Sequence, residues 1–315
     1  MRIGVDIGGT NLVAGLVDDN YKLIEKAECP ANATRNDEEI VADIIMLCKE
    51  VMKKKNLEEK DVQSIGIGIP GCHNPDTGVI LYCANINFHN TPIVEMMKKE
   101  LDIPVFLGND ADCAALGEAY AGATKEVDDS IMITIGTGIG GGIIINKKIY
   151  NGFNHIGGEL GHIVIVSGGE TCGCGRKGCW ETYGSATALI RQTKAAIEAN
   201  PESKLAKFVG GDIDKVNGKT AFDAMRAGCP VGTAVVEKYV EHFSTGITNI
   251  INIFQPEMIV IGGGVSKEGQ PFIDMIMKHV TAERYGEGKG LPLTSLCTAE
   301  LGNDAGVIGA AVLGI

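Results

Sequence analysis

Aromatic residues are scarce in this 315-residue chain, which has eight Phe, seven Tyr and a single Trp. Forty-three glycines outnumber them, a balance that points to many tight backbone turns, often of the kind that serves phosphates. Basic charge is also short: 28 Lys and Arg face 40 Asp and Glu, giving a net charge of −12. No basic stripe offsets that balance, so nucleic acid is not an expected partner. Long apolar runs are missing too. The long uncharged stretch 130–146 is broken by five glycines and three Ser or Thr residues and is short for a bilayer span, so no membrane partner is expected. Strand-like sequence starts at Arg2 without the charged and apolar segments of a secretory signal. These gaps together predict a cytoplasmic protein with room for two domains and a substantial core.

What is present has a clear rhythm. Strand-like runs end in small-residue turns at 2–10, 65–71, 131–138 and 258–264. Helical spacing of apolar residues occupies 38–55 and 185–199, a small alanine-rich helix 111–121, and a long packing helix 231–254. Strands alternating with helices predict an α/β protein with a largely parallel sheet. The polar segment 200–219 reads as a surface excursion and 285–292 as a second loop.

The first and third turns are alike. In Asp6-Ile-Gly-Gly-Thr-Asn11 and Gly136-Thr-Gly-Ile-Gly-Gly-Gly142, glycine and threonine can aim N–H and hydroxyl donors at an anion, although a lone turn of this kind is as well explained by an ordinary hairpin. Two near-matches to other motifs are rejected. Gly136-Thr-Gly-Ile-Gly-Gly141 has the dinucleotide-binding spacing but leads into a strand, so no helix N-terminus meets a pyrophosphate. Gly218-Lys219-Thr220 resembles the end of a P-loop, yet Ile213 stands where that motif needs glycine and no apolar strand precedes it. It reads as a turn into a helix over 220–227.

The densest chemistry lies between Glu159 and Glu181. His162, Cys172, Cys174 and Cys179 form a three-thiolate, one-imidazole set suited to tetrahedral Zn²⁺, with no ligand to spare for an open position. Such a closed site holds a loop; it does not activate water. A disulfide with one cysteine left over is the alternative in an oxidising compartment. Glycines at 173, 175 and 178 would let the sulfurs converge. The other seven cysteines lie among apolar residues and read as small core side chains.

Asp-Ile-Gly-Gly-Thr near the start, Asn109-Asp110 before an Ala-rich helix, the turn at 136–142, Glu159-x-x-His162 and Cys-x-Cys-x4-Cys-x-Glu occur here in one order. In that series, running from Asp6 to the Ala/Gly-rich end of the chain, the sequence resembles the ROK family of sugar kinases and related repressors, and in particular its bacterial glucokinase type. The resemblance implies an actin- and hexokinase-like (ribonuclease H-like) fold of two α/β domains with a cleft between them. Residues 1–115 plus 300–315 would form the smaller domain and 116–299 the larger, with the zinc loop. It further implies ATP-dependent phosphorylation of a hexose, most readily glucose to glucose 6-phosphate, in a homo-oligomeric dimer or tetramer.

Gly8, Gly9, Thr10 and Asn11, with Gly136, Thr137 and Gly138, would surround the ATP phosphates. Asp6 would help hold Mg²⁺ through water, and Gly262, Gly263, Gly264 and Val265 would lie beside the adenosine. Pro70, Gly71, Asn85, Asn109, Glu159, His162 and Glu181 would approach the sugar, with His162 offering one ring nitrogen to zinc and the other to a hydroxyl. A sugar hydroxyl is a poor nucleophile, so its proton needs an acceptor, and Asp110 suits that general-base role. Helix capping alone is the plainer explanation of Asn109-Asp110. His155 has no comparable partner. Cys72-His73-Asn74 stands where relatives often carry proline and aspartate, which leaves the choice of hexose open. N-acetylmannosamine or fructose kinase is the nearest alternative. A sugar-sensing regulator would need a DNA-reading module, for which the strand at Arg2 leaves no room.

Overall fold

The chain begins with β1 (Arg2–Ile7), β2 (Asn11–Val17), β3 (Leu23–Pro30) and α1 (Asp37–Lys54), followed by β4 (Ile65–Ile69). A three-stranded antiparallel sheet comes next, of β5 (Gly71–Asn74), β6 (Val79–Cys83) and β7 (His89–Thr91). Then come α2 (Ile93–Lys98), β8 (Val105–Asn109), α3 (Asp110–Ala121), β9 (Ser130–Ile135), β10 (Ile139–Ile145) and β11 (Lys148–Ile149). Helices dominate the remainder: α4 (Glu181–Gly184), α5 (Ala186–Ala199), α6 (Lys204–Phe208), α7 (Thr220–Arg226) and α8 (Pro230–Phe254). After them lie β12 (Met258–Gly263), α9 (Gln270–Glu283), β13 (Ser295–Thr298) and α10 (Ala305–Ala311). This computed structural model describes residues 1–83 and 85–315.

Two compact units result. The first comprises Met1–Met132, Gly141–Gly158 and Ala299–Ile315; the second comprises Ile133–Gly140 and Glu159–Thr298. One five-stranded sheet has the order β3-β2-β1-β4-β8, with β1, β4 and β8 parallel to one another and β2 and β3 antiparallel. Another has the order β11-β10-β9-β12-β13, in which β12 and β13 run parallel. Parallel strands buried on both faces read as near-continuous apolar runs, as in Ile65-Gly-Ile-Gly-Ile69, where every residue is buried.

Local sequence explains the helix boundaries. Asn36 caps α1 by accepting from Glu39 N–H at 2.8 Å, and Asp37, Glu38 and Glu39 occupy its first turn, where the helix dipole favours negative charge. The apolar stripe Ile40, Ile44, Leu47 and Val51 is buried. Ser185 caps α5 through the Ala188 N–H. Pro230 stands in the first turn of α8, where its missing N–H costs no hydrogen bond.

The glycines do more than turn the chain. Gly15, Gly4 and Gly66 are in register on three adjacent strands, and α10 lies in the trough they leave. A Cβ on Gly4 would come 1.8 Å from the Val307 carbonyl oxygen, and one on Gly66 1.7 Å from that of Ala310. The other side of α10 meets α3 just as closely, since a Cβ on Gly309 would lie 1.6 Å from the Cys113 carbonyl oxygen. Nearby, the fully buried Glu118 carboxylate of α3 accepts from the backbone N–H groups of Ala123, Glu300 and Leu301 at 2.8–3.0 Å, tying α3 to the segment that leads into α10. Gly4, Gly15, Gly66 and Gly309 are therefore helix-packing positions and not turn glycines.

Three further expectations are corrected. The apolar run Ile163-Val-Ile-Val166 after His162 reads as a strand in sequence but forms none; Val164 makes only an isolated bridge to Cys179, and Ile165 N–H bonds the Gly178 carbonyl at 2.9 Å, so its partners lie in the cysteine loop. The excursion at 200–219 carries α6 and a short 3-10 turn at Ile213–Lys215. Cys72 is exposed, whereas Cys48, Cys83, Cys113 and Cys229 are buried as expected. Among the described residues no helix is long and apolar enough to cross a membrane.

Candidate functional site

In open α/β sheets ligands bind beyond the carboxyl ends of parallel strands. In the first unit those ends belong to β1, β4 and β8, and the register pairs Asp6 with Gly68 and Ile69 with Asn109. The three strands therefore deliver Asp6 and the Gly8-Gly9 turn, Pro70-Gly71, and Asn109-Asp110 to one edge. Gly8 N–H closes the β1–β2 turn on the Asn11 carbonyl at 2.9 Å, leaving Gly9, Thr10 and Asn11 exposed. Asn85 adjoins this turn, for a Cβ on Gly9 would touch its side chain at 3.6 Å.

Asn109 is the N-cap of α3, its Oδ1 accepting from Ala111 N–H at 2.9 Å and Asp112 N–H at 3.4 Å. That duty fixes the amide's orientation and turns its Nδ2 donors away from the helix. Asp110, the first residue of the helix, is half-buried and accepts from Ala111 N–H at 2.9 Å. The N-cap is thus Asn109 alone, and the Asp110 carboxylate is not the capping group. Asp6 is the electrostatic counterpart. Burial, and next the nearby Asp110 carboxylate, push its pKa up to about 6. Because that value lies above the ordinary 3.8, the carboxyl favours the fold below about pH 4. It costs stability as pH rises through about 6.

In the second unit the four candidate metal ligands, His162, Cys172, Cys174 and Cys179, converge. Their ligand atoms all lie within 4.8 Å of one another. Cys174 and Cys179 sulfurs are 3.7 Å apart, and Cys172 Sγ is 3.6 Å from His162 Nδ1. Tetrahedral Zn²⁺ with Zn–S bonds of about 2.3 Å sets sulfur atoms roughly 3.8 Å apart and a sulfur about 3.6 Å from an imidazole nitrogen. The residues fit the ion. The loop that brings them together is closed by Cys172 N–H to the Arg176 carbonyl at 2.8 Å and Gly178 N–H to the Glu170 carbonyl at 2.7 Å. Gly175 and Gly178 take φ of +88° and +83°; Gly173, expected to serve the same bend, does not.

With Nδ1 toward the sulfurs, His162 Nε2 faces Glu159 Oε2 at 4.0 Å. Glu181 sits at the other side of the ring, its Oε1 3.6 Å from Nδ1 and 2.9 Å from Cys172 Sγ, while its Oε2 would lie 2.4 Å from a Cβ on Gly138. Glu159, His162 and Glu181 are therefore neighbours, and Glu181 links them to the β9–β10 turn. Trp180, fully buried, fastens the loop exit. It packs on Phe243 with ring centroids 5.2 Å apart, and Gly246 of α8 clears space for its indole.

A cavity of about 380 Å³ is lined by Gly136, Gly138, Glu181, Gly263 and Gly264. Gly136 N–H bonds the Gly138 carbonyl at 3.0 Å, so Thr137 stands exposed at the tip of the turn. Gly263 has φ of +91°, and Gly264 N–H bonds the Ile135 carbonyl at 3.1 Å, which presses the Gly262-Gly263-Gly264 turn against β9. A second cavity of about 460 Å³ shares Gly264 and is lined by Val265, Glu268, Ala186 and Asn217-Gly218-Lys219. That last loop was dismissed as a P-loop, and it is not one. Its place beside Val265 comes from tertiary packing, and only the glycine and lysine of a surface segment hinted at it.

A family model described as the ROK family matches residues 2–315. The chain is 36% identical over 311 residues to a glucokinase of Halalkalibacterium halodurans, spanning 98% of this chain and 92% of that one. Among solved structures it is similar to a ROK family glucokinase from Streptomyces griseus in complex with glucose and AMPPNP. That likeness has 34% identity and a TM-score of 0.78 and covers 99% of this chain and 98% of the other. A ROK hexokinase from Thermus thermophilus superposes with a TM-score of 0.82 at 29% identity, covering 99% and 97% of the two chains.

Proposed function

The chain belongs to the ROK family, and on that premise we propose that it transfers the terminal phosphoryl group of ATP to a hexose, glucose first among them. Its α/β, actin- and hexokinase-like fold is that of the ROK glucokinase and hexokinase it resembles. The observation that carries the reading is the edge where β1, β4 and β8 end, because it gathers two carboxylates, Asp6 and Asp110, beside a glycine turn.

Phosphoryl transfer asks the protein for positioning and charge stabilisation more than for covalent chemistry. Asp110 takes the proton of the attacking sugar hydroxyl, and Asn109, its Oδ1 held by the cap, offers Nδ2 to a neighbouring hydroxyl. Pro70, Gly71 and Asn85 are the sugar-approaching residues beside Asn109-Asp110, and Glu159, His162 and Glu181 are further hydroxyl-binding candidates, with His162 Nε2 turned away from the sulfurs. The turn that Gly8 closes, through the N–H groups of Gly9 and Thr10 and the Asn11 side chain, receives ATP phosphates, as does the turn Gly136-Thr137-Gly138. Gly262, Gly263, Gly264 and Val265 adjoin the adenosine. Asp6 would help hold Mg²⁺ through water, since the ion keeps most of its hydration, and the bound ion would offset phosphate charge.

Zn²⁺ would be held by His162, Cys172, Cys174 and Cys179 as a structural ion that fixes the loop between Glu159 and Glu181. Cys174→Ala is expected to lose bound zinc and to shift the emission of Trp180, which directly follows the ligand Cys179. Sugar affinity should fall with it. A full metal complement and unaltered sugar affinity in that variant would overturn the scaffold role.

The experiment that tests the function is ADP release from Mg²⁺-ATP with glucose, mannose, fructose, N-acetylglucosamine and N-acetylmannosamine. Turnover is expected, fastest on glucose. A preference for N-acetylmannosamine or fructose would keep the kinase and change the substrate. Silence on all five, in zinc-replete protein, would overturn the hexose-kinase reading in favour of a sugar sensor.

A further inference from the structure

Lys219 is the one motif residue that the kinase reading leaves without a task. Two hydrogen bonds hold its backbone and a third holds the turn around it. Its N–H donates to Asn217 Oδ1 at 2.9 Å, its carbonyl accepts from Asp223 N–H at 2.8 Å, and Asn217 N–H is tied to Thr220 Oγ1 at 3.0 Å. Its ammonium is a different matter. Among the described residues no carboxylate or carbonyl engages Nζ, although the chain carries twelve more acidic than basic charges.

The other polar side chains around the second cavity are already committed. Glu268 is nearly buried and paired with Arg226. Asn217 spends its oxygen on the turn and directs its amide nitrogen at the Lys215 carbonyl at 3.5 Å. Val265 and Ala186 supply apolar wall. The cavity therefore has an apolar side and a single uncommitted cation, and through Gly264 it adjoins the glycine-lined cavity of Gly136 and Gly138. Each volume lies within the range of small-molecule sites.

We infer that Lys219 binds the phosphoryl donor as an anion-contacting residue. The first cavity takes the terminal phosphates, the second takes the nucleoside, and the Lys219 ammonium meets the phosphate nearest the nucleoside. A fixed backbone with a free cationic tip suits this task, since binding then orders only one side chain. The inference rests on the kinase reading and adds to it a donor-binding residue that is neither the base nor part of the glycine turns.

Calorimetric titration of the full-length, zinc-replete protein with Mg²⁺-ADP, AMP and adenosine tests it without any sugar or turnover. Lys219→Ala is expected to weaken ADP and AMP by about tenfold, the scale of one exposed charge-assisted hydrogen bond, and to leave adenosine unchanged. Lys219→Arg should keep most of the affinity because it keeps the charge. In turnover the KM for ATP should rise in Lys219→Ala with the KM for hexose unaltered. Equal ADP affinity in wild type and Lys219→Ala would overturn the role of Lys219 while leaving the kinase intact. An equal loss for adenosine would overturn the phosphate contact. A wild-type protein that binds no ADP would overturn this inference together with the kinase reading beneath it.

Discussion

Asp110→Asn is expected to lower kcat by about 10²- to 10⁴-fold while sugar and nucleotide still bind, the usual cost of removing a positioned carboxylate base. The substitution is nearly isosteric and retains an oxygen that can accept from Ala111 N–H as Asp110 does at 2.9 Å. The helix keeps its cap as well, because that is supplied by Asn109. Loss of activity would therefore not follow from loss of α3. Folding stability gives an independent check. Asp110 is one of the two causes that raise the Asp6 pKa, so removing its charge relieves repulsion, and the thermal midpoint of the free protein near pH 7 should hold or rise. Asp110→Asn with wild-type turnover and normal sugar affinity would remove the base assignment. A variant that loses stability along with activity would show that the residue works through the fold.

Gly309→Ala should be the most damaging single methyl group in the first unit. Its Cβ would stand 1.6 Å from the Cys113 carbonyl oxygen, and the nearby Gly117 N lies 2.7 Å away. Neither atom is the end of a flexible side chain, so α10 and α3 must move apart. That movement opens the trough over Gly4 and Gly66 on the opposite side. Overpacking of this kind costs on the order of 3 kcal/mol, a large share of ordinary domain stability. Thermal or urea unfolding of the variant measures it. Gly264→Ala is the control, as nothing lies within 4 Å of its added methyl; equal stability of the two variants would refute the packing argument.

The sequence was legible where chemistry is local. Asn109 ahead of Ala-rich sequence announces a cap, and four sulfur and nitrogen ligands within eighteen positions announce a metal loop; both take shape through short-range hydrogen bonds. The strands ending near residues 7, 69, 135 and 263 were readable from apolar runs closed by small residues; β8, which ends at Asn109, was not. Legibility stopped where distant segments meet. The residues 163–166 have strand-like composition but lie in a loop whose partners are set by the cysteine turn, so β propensity gave way to tertiary context. Gly4, Gly66 and Gly309 look in sequence like the turn glycines at 8 and 9, because the pattern carries no mark of a helix arriving from the far end of the chain. Lys219 was discounted on its motif, and its position beside Val265 depends on a packing of loops that no spacing encodes.

The glycine trough also dictates an order of events. Helix α10 covers strands β1 and β4 from about 300 and 240 positions further along the chain. A polypeptide emerging from the ribosome therefore presents β1, β2 and β4 long before their cover exists, with the trough facing solvent while the whole second unit is made. Closing such a long loop is slow, and partly covered sheets are prone to association. Dependence on chaperones during synthesis is the expected consequence of that delay. Chains released before Ala305 should accumulate as aggregates even though most of the first unit's residues are already present.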